Sequence, residues 1–459
     1  MQKFSGFVSG TAAIAVLSAV VMTGTVQFAR AQDAGGKKWK DTAEYDLYMS
    51  ANKNVSANKG AEALADLDNW KAKYAESDYK DDRAVLYIQA YAAAKQPAKA
   101  VDAAADIINR GVDTVFSDPK AGPPNAIRAL FSTVFAITQV ADPTPEELAI
   151  GDKAAHTLLD YNRKPDGVAD AAWAEARTTQ LQPPAKAALL FIAMLPGNKA
   201  FKDKNWAGCE AAYAKALGTY PQNSAISYQL GLCMRSQAAE KPEKRSQAAY
   251  EFQRAVVIDA TLGGSANADT IKKYADGYYT NMHGSDEGLA ALKELVKASP
   301  LPPADFKVKT ATEIAEEEQA IFEKSNPQLA LWMKIKGALA DTNGEQYFAG
   351  QLKDSQVPQL RGTLVEAKPA CRPKELIVAV PLPGNTPTPE ITLKLEAALT
   401  GKPELNQEFH WEGVPSAFTK DPFMLTMDTA KDKLEGLKTT PCVAAPAGGK
   451  KTGGAPKKK

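Results

Sequence analysis

The chain has 459 residues, room for about three domains at roughly 150 residues each, and its 44% hydrophobic and 24% charged content is that of an ordinary globular protein. Four cysteines are too few for a disulfide-dense scaffold. The net charge is +1, but Lys3 and Arg30 near the start and five lysines in the last seventeen residues leave a body of net −6. General nucleic-acid binding needs a basic face, so no nucleic acid is expected.

Residues 1–31 have the pattern of a signal peptide. Lys3 supplies a basic start, Ala12 to Met22 an apolar run, and Ala29-Arg30-Ala31 an A-x-A site. The run is shorter than the about 20 residues of a spanning helix. The expectation is an exported protein, periplasmic or secreted, cut near Ala31, with no transmembrane helix after cleavage.

From Thr42 the periodicity predicts helices: Thr42 to about Ala51, Gly60 to Tyr74, Asp81 to Ala94 and Ala98 to Asn109. Ala63, Leu67 and Trp70, then Ala100, Ala104 and Ile107, share a four-then-three spacing. After a Gly/Pro/Asp loop, Asn125 to Thr138 is apolar, and Thr144-Pro145-Glu146-Glu147 opens a helix with an N-cap, a proline and acids. Asp170 to Thr179 and Ala185 to Leu195 follow. Pro196 predicts a kink or early stop.

The clearest pattern runs from Gly197 to Asp259. Gly231 follows Gly197 by 34 residues, and Ala248, Phe252 and Ala255 repeat the spacing of Cys209, Tyr213 and Ala216. Gly288, Leu292, Leu295 and Pro300 match the offsets of Cys209, Tyr213, Ala216 and Pro221, within a helix expected over Ser285 to Ala298. Small residues let paired helices approach, and the large ones fill the gap to the next pair. This pattern resembles the tetratricopeptide repeat, a helix-turn-helix solenoid whose pairs must stack because none buries its apolar face alone. The resemblance implies a solenoid over 32–300 that binds a protein or peptide partner on its inner helices. Some relatives clamp a terminal carboxylate with Asn and Lys there. Asn198 occupies one such place, but Leu232 stands at the equivalent place in the next repeat. Asn198, Lys202 and Arg235 are therefore the candidate partner-binding residues, without the full clamp.

Residues 301–357 read as a helical connector, with Thr310 to Ser325 charged and Leu329, Trp332, Ile335 and Leu339 on one face of Pro327 to Leu339. From Pro358 the period becomes two, and about five short strands over 358–437 predict a small barrel or sandwich. Its Gly362-Thr363-Leu364-Val365 opening resembles that of an OB-fold barrel. The fold class is thus mainly α, a tetratricopeptide-like solenoid followed by a small all-β domain. Residues 438–459 cannot build a core and read as a disordered tail. Lys450, Lys451, Lys457, Lys458 and Lys459 in it are candidate attachment residues for an anionic envelope polymer or membrane surface.

No constellation for catalysis is apparent. His156, His283 and His410 are scattered, and no metal, phosphate or nucleophile motif occurs. Ser285 sits in a G-x-x-x-G setting better suited to a helix cap than to a nucleophile. Acid groups such as Asp78/Asp81/Asp82 and Glu316/Glu317/Glu318 lack the order of a calcium loop. Cys209 with Cys233, and Cys371 with Cys442, are each either a disulfide or a pair of thiols. No enzyme activity, metal or cofactor is expected. The reading is an extracytoplasmic binding or scaffold protein, with envelope attachment through the β domain and lysine tail as the alternative.

Overall fold

The computed structural model describes residues 37–381 and 388–442. The expected signal segment and the five tail lysines lie outside the described residues. The chain divides into two compact units, Met1–Val308 and Lys309–Lys459. No helix among the described residues is long and apolar enough to cross a membrane.

The first unit is a succession of helices: α1 Thr42–Ser56, α2 Gly60–Lys73, α3 Lys80–Ala93, α4 Pro97–Arg110, the single turn α5 Val112–Val115, α6 Gly122–Ile137, α7 Pro145–Asp160, α8 Asp170–Ala176, α9 Gln182–Lys202, α10 Trp206–Thr219, α11 Ser224–Gln237, α12 Lys244–Ile258, α13 Ala268–His283 and α14 Leu289–Leu295. Each main helix packs on its sequence neighbours, which makes the region solenoid-like. Thr144 opens α7 with a full capping box to Glu147. Asn205 and Asn223 cap α10 and α11 by accepting from Gly208 and Ile226 amides.

The repeat spacing has a direct physical cause. A Cβ on Gly197 would stand 2.7 Å from the Tyr213 ring, and a Cβ on Gly231 would stand 2.7 Å from the Phe252 ring. In each pair the aromatic ring of the second helix lies on the bare backbone of the first. Cys209, Tyr213, Ala216, Ala248, Phe252 and Ala255 are all buried beside them. Cys209 and Cys233 form a disulfide that joins α10 to α11, with Cα atoms 5.9 Å apart.

Two local expectations need correction. The helix runs through Pro196 without stopping, and Arg177–Leu181 forms a π-turn that joins α8 to α9. Pro183 and Pro184 lack N–H donors, so the ladder must shift register just before them. An internal proline costs roughly 3 kcal/mol, yet the helix continues past Pro196 to Lys202 and brings Gly197 under Tyr213. The last match also differs. The helix begins at Leu289 instead of Ser285, and Gly288 sits at φ +77° as its N-cap. Its lack of a side chain there serves a left-handed turn, and a Cβ would also stand 2.8 Å from the Tyr279 hydroxyl of α13. Leu292 is buried, whereas Leu295 is exposed.

The second unit begins with α15 Ala311–Ser325, α16 Pro327–Ala340 and the short α17 Gly344–Tyr347, which passes through a π-turn at Phe348–Leu352. Strands follow: β1 Val357–Lys368, β2 Glu375–Ala379, β3 Pro389–Leu395, β4 Lys402–Pro403, β5 Glu408–Lys420, β6 Phe423–Thr429, β7 Leu434–Glu435 and β8 Thr439–Thr440. The five long strands close in the order β1-β2-β3-β6-β5-β1, with β3 and β6 parallel and the other pairs antiparallel. This is a closed five-stranded barrel of OB-like topology. Closure rests on β1, whose first half pairs with β5 and second half with β2, with an irregularity between Leu364 and Glu366. The helices read as a connector share the barrel's core: Trp332, Ile335, Leu339, Phe348 and Leu352 pack with Leu360, Val378, Ile391, Trp411 and Leu425. Trp332 Nε1 donates to Glu390 Oε2 at 3.1 Å, and the Lys336 ammonium pairs with the same carboxylate.

Candidate interaction surface

Phe252 of α12 is fully buried under Gly231, and three tyrosines gather around it. Tyr274 and Tyr278 meet its ring edge-on, each at a centroid distance of 5.1 Å, and Tyr228 lies at 5.7 Å. Tyr228 comes from α11, while Tyr274 and Tyr278 are four apart on α13 and so share a face of it. All three are half-buried. Burial pushes the Tyr278 phenol up to about 12, against the pull of Arg235 and Arg245. Burial likewise raises Tyr228. Both are neutral hydrogen-bond donors at ordinary pH.

Arg235, on the last turn of α11, extends this strip. It is exposed, donates from Nη1 to the Tyr274 hydroxyl at 2.6 Å, and its guanidinium lies 5.7 Å from the centre of that ring. Asn198, exposed on α9, accepts from the Tyr213 hydroxyl at 2.6 Å through Oδ1. Lys202 is exposed at the end of the same helix. Among the described residues the three candidates share no hydrogen bond with one another. Arg235 belongs to the aromatic strip, whereas Asn198 is anchored to the repeat's own tyrosine. Leu232, where the clamp pattern fails, is half-buried on the α10–α13 core.

A buried polar group lies behind the strip. Arg254 is 1% exposed and donates to Ser299 O at 2.9 Å, to Ser227 Oγ at 2.7 Å and to Pro221 O. One guanidinium thus ties the α10–α11 turn to the segment after α14. Glu251 is fully buried beside it, and neither carboxylate oxygen makes a hydrogen bond of good geometry. Burial pushes its carboxyl up to about 8, offset only in part by the Arg254 charge and the Ser227 hydroxyl.

The scattered chemical candidates are not assembled. His156 is exposed, 3.7 Å from Asp152 of its own helix, and His283 lies tilted against Tyr279. His410 is half-buried within β5. The Ser285 hydroxyl accepts from the Glu287 amide in a turn. Asp81 and Asp82 are engaged by Arg110, Lys37 and Asn125. Among the described residues no group of three or more His, Cys, Asp or Glu is placed to hold a metal ion. Cys371 and Cys442 form a disulfide with Cα atoms 6.0 Å apart.

The tyrosine strip was not singled out from the sequence. Its signal was the Tyr274-x3-Tyr278 pair, visible only once Phe252 is known to point at that face. No protein-family model matches the chain, and no curated protein matches it.

Proposed function

We propose that the protein is an exported, non-enzymatic binding or scaffold protein whose helical unit, a tetratricopeptide-like array, holds a partner protein or peptide. The observation that carries this reading is the half-buried tyrosine strip with exposed Arg235 at its edge. Tyr and Arg are the side chains that most often anchor protein interfaces, because they bring large contact area and directional hydrogen bonds at modest entropic cost. The recurrence of a ring on a glycine in consecutive helix pairs supports the repeat assignment. The A-x-A site after an apolar run supports export to the periplasm or beyond.

Chemical crosslinking in the extracytoplasmic fraction tests the function. The full-length protein is expected to trap a defined partner, and Arg235→Glu with Tyr274→Ala is expected to lose most of it. An unchanged captured set in that folded double variant would remove the strip as the binding surface.

A further inference from the structure

Residues 37–40 form a short strap ahead of α1, without helix or strand, and Trp39 anchors it. Its indole stacks on the Tyr79 ring at a centroid distance of 3.7 Å and an interplanar angle of 8°. Tyr48 lies at 5.2 Å, Tyr45 edge-on at 5.5 Å and Trp70 at 6.0 Å. Four rings from α1, α2 and the turn before α3 thus gather around one indole, which is itself only half-buried. The rest of the strap meets carboxylates at the rim. The Lys37 ammonium pairs with Asp82 at 2.6 Å, the Lys38 amide donates to Asp78 Oδ2 at 3.0 Å, and the Lys40 amide donates to Glu44 Oε2 at 2.7 Å.

The rings that receive Trp39 are held by groups outside the strap. Trp70 is fully buried and donates from Nε1 to Glu44 Oε1 at 3.0 Å. The Arg83 guanidinium lies 5.3 Å from the Trp70 ring and donates to Tyr74 O at 2.8 Å and Ala75 O at 3.3 Å. The Tyr79 amide donates to Ser77 Oγ at 3.0 Å, and the Tyr79 carbonyl accepts from the Arg83 amide at 2.8 Å. Asp41 caps α1 by accepting from the Glu44 amide and also accepts from the Tyr74 hydroxyl, so the helix starts without help from the strap. The Lys37 and Lys38 contacts are exposed, where water competes with them. The strap is therefore held chiefly by its indole.

We propose that this cage is a binding site for an indole-bearing basic peptide segment, filled in cis by Trp39 and opened when the strap peels back to Asp41. A partner's tryptophan takes the place of Trp39 on the Tyr79 ring, and a lysine two residues ahead of it takes the place of Lys37 at Asp82. The cis strap competes with that segment, so it lowers the apparent affinity in proportion to the time it keeps the cage filled. The proposal is independent of what the tyrosine strip binds.

The test uses the full-length protein and a fluorescein-labelled peptide with the sequence of residues 37–41. Fluorescence anisotropy should show saturable binding to Trp39→Ala, about tenfold tighter than to wild type. The same peptide with alanine in place of its tryptophan should not bind. Adding Tyr79→Ala to Trp39→Ala should weaken binding about fivefold, and adding Asp82→Asn about threefold. In wild type, hydrogen exchange of the Lys38 and Lys40 amides should outpace that of the α1 amides, and excess unlabelled peptide should speed it further. Failure of Trp39→Ala to bind the peptide, with a cooperative melting curve showing that it folds, would overturn the proposal. So would equal binding by Trp39→Ala and wild type, which places the peptide elsewhere. Strap amides that exchange no faster than α1 would also overturn it, because the strap would then be a permanent part of the helix pair. The exchange measurement needs no variant and decides the matter even if Trp39→Ala does not fold.

Discussion

The Tyr213 ring lies directly on the backbone of Gly197, so close that a single added methyl would stand 2.7 Å from it. Phe252 meets Gly231 at the same distance. These two contacts set the separation of their helix pairs and place Phe252 where Tyr228, Tyr274 and Tyr278 can surround it. Gly197→Ala and Gly231→Ala should each lower stability by about 1–3 kcal/mol through overpacking. Gly277→Ala, on α13 with nothing within 4 Å of the added carbon, should raise it by about 0.4–1 kcal/mol. Urea unfolding of the three variants reads this, and equal effects at all three would mean that helix propensity alone is at work.

Glu251 makes stability depend on pH in the less common direction for a carboxylate. Its pKa is raised on folding to about 8, so between the unfolded value of 4.5 and about 8 the native state holds a proton that the unfolded state releases. Its contribution is therefore fully present below the unfolded pKa. It is lost as pH rises, by at most about 1.4 kcal/mol per unit, until the folded pKa is passed. Glu251→Gln should be nearly neutral at pH 5 and progressively more stable than wild type towards pH 8, with no further gain above it. A stability difference that does not change with pH would show that Glu251 does not titrate in this window.

The Cys209–Cys233 disulfide closes a loop of 24 residues across consecutive helix pairs. Cys209→Ala with Cys233→Ala should cost about 3 kcal/mol, chiefly by freeing the unfolded chain. The helical unit's melting transition should fall accordingly, while reduction of the double variant should have no further effect on it.

In the second unit, Glu390 is held by Trp332 and Lys336, and all three lie where α16 meets the barrel. Lys336→Ala leaves a nearly buried carboxylate with one donor and should destabilise this unit by about 1–3 kcal/mol. Adding Glu390→Gln should recover part of the loss, because the remaining group no longer carries a charge. No recovery would mean that the ammonium's position over the Phe423 ring, 5.6 Å from its centre, is what matters.

Patterns that depend on local spacing were legible in the sequence. The four-then-three spacing located Tyr213 and Phe252, and period-two alternation located the strands, because those signals follow from helix and strand geometry. Gly288 shows the limit of spacing: its offsets match, yet a spacing carries no information about the sign of φ. Trp332, Ile335 and Leu339 share a face by their spacing, but spacing does not show that the barrel covers it, since the covering residues run from Leu360 to Met427 on separate strands. Glu251 and Arg254 are charged residues on a helix and would ordinarily face water. They are buried because the chain returns over α12, with Phe306 against Tyr250 and Val308 bonded to Ser246. The tyrosine strip is illegible in the sequence for the same reason, being assembled from two helices around a ring on a third.

The proposed binding role of that strip is tested most directly by a photo-crosslinking amino acid placed at Tyr278 in the full-length protein, with a second placed at Lys215, exposed on α10. The expected result is a discrete protein adduct from position 278 that is absent from position 215 and is lost on Arg235→Glu. Adducts of equal yield from both positions, or from position 215 alone, would contradict the assignment of the partner site to this face.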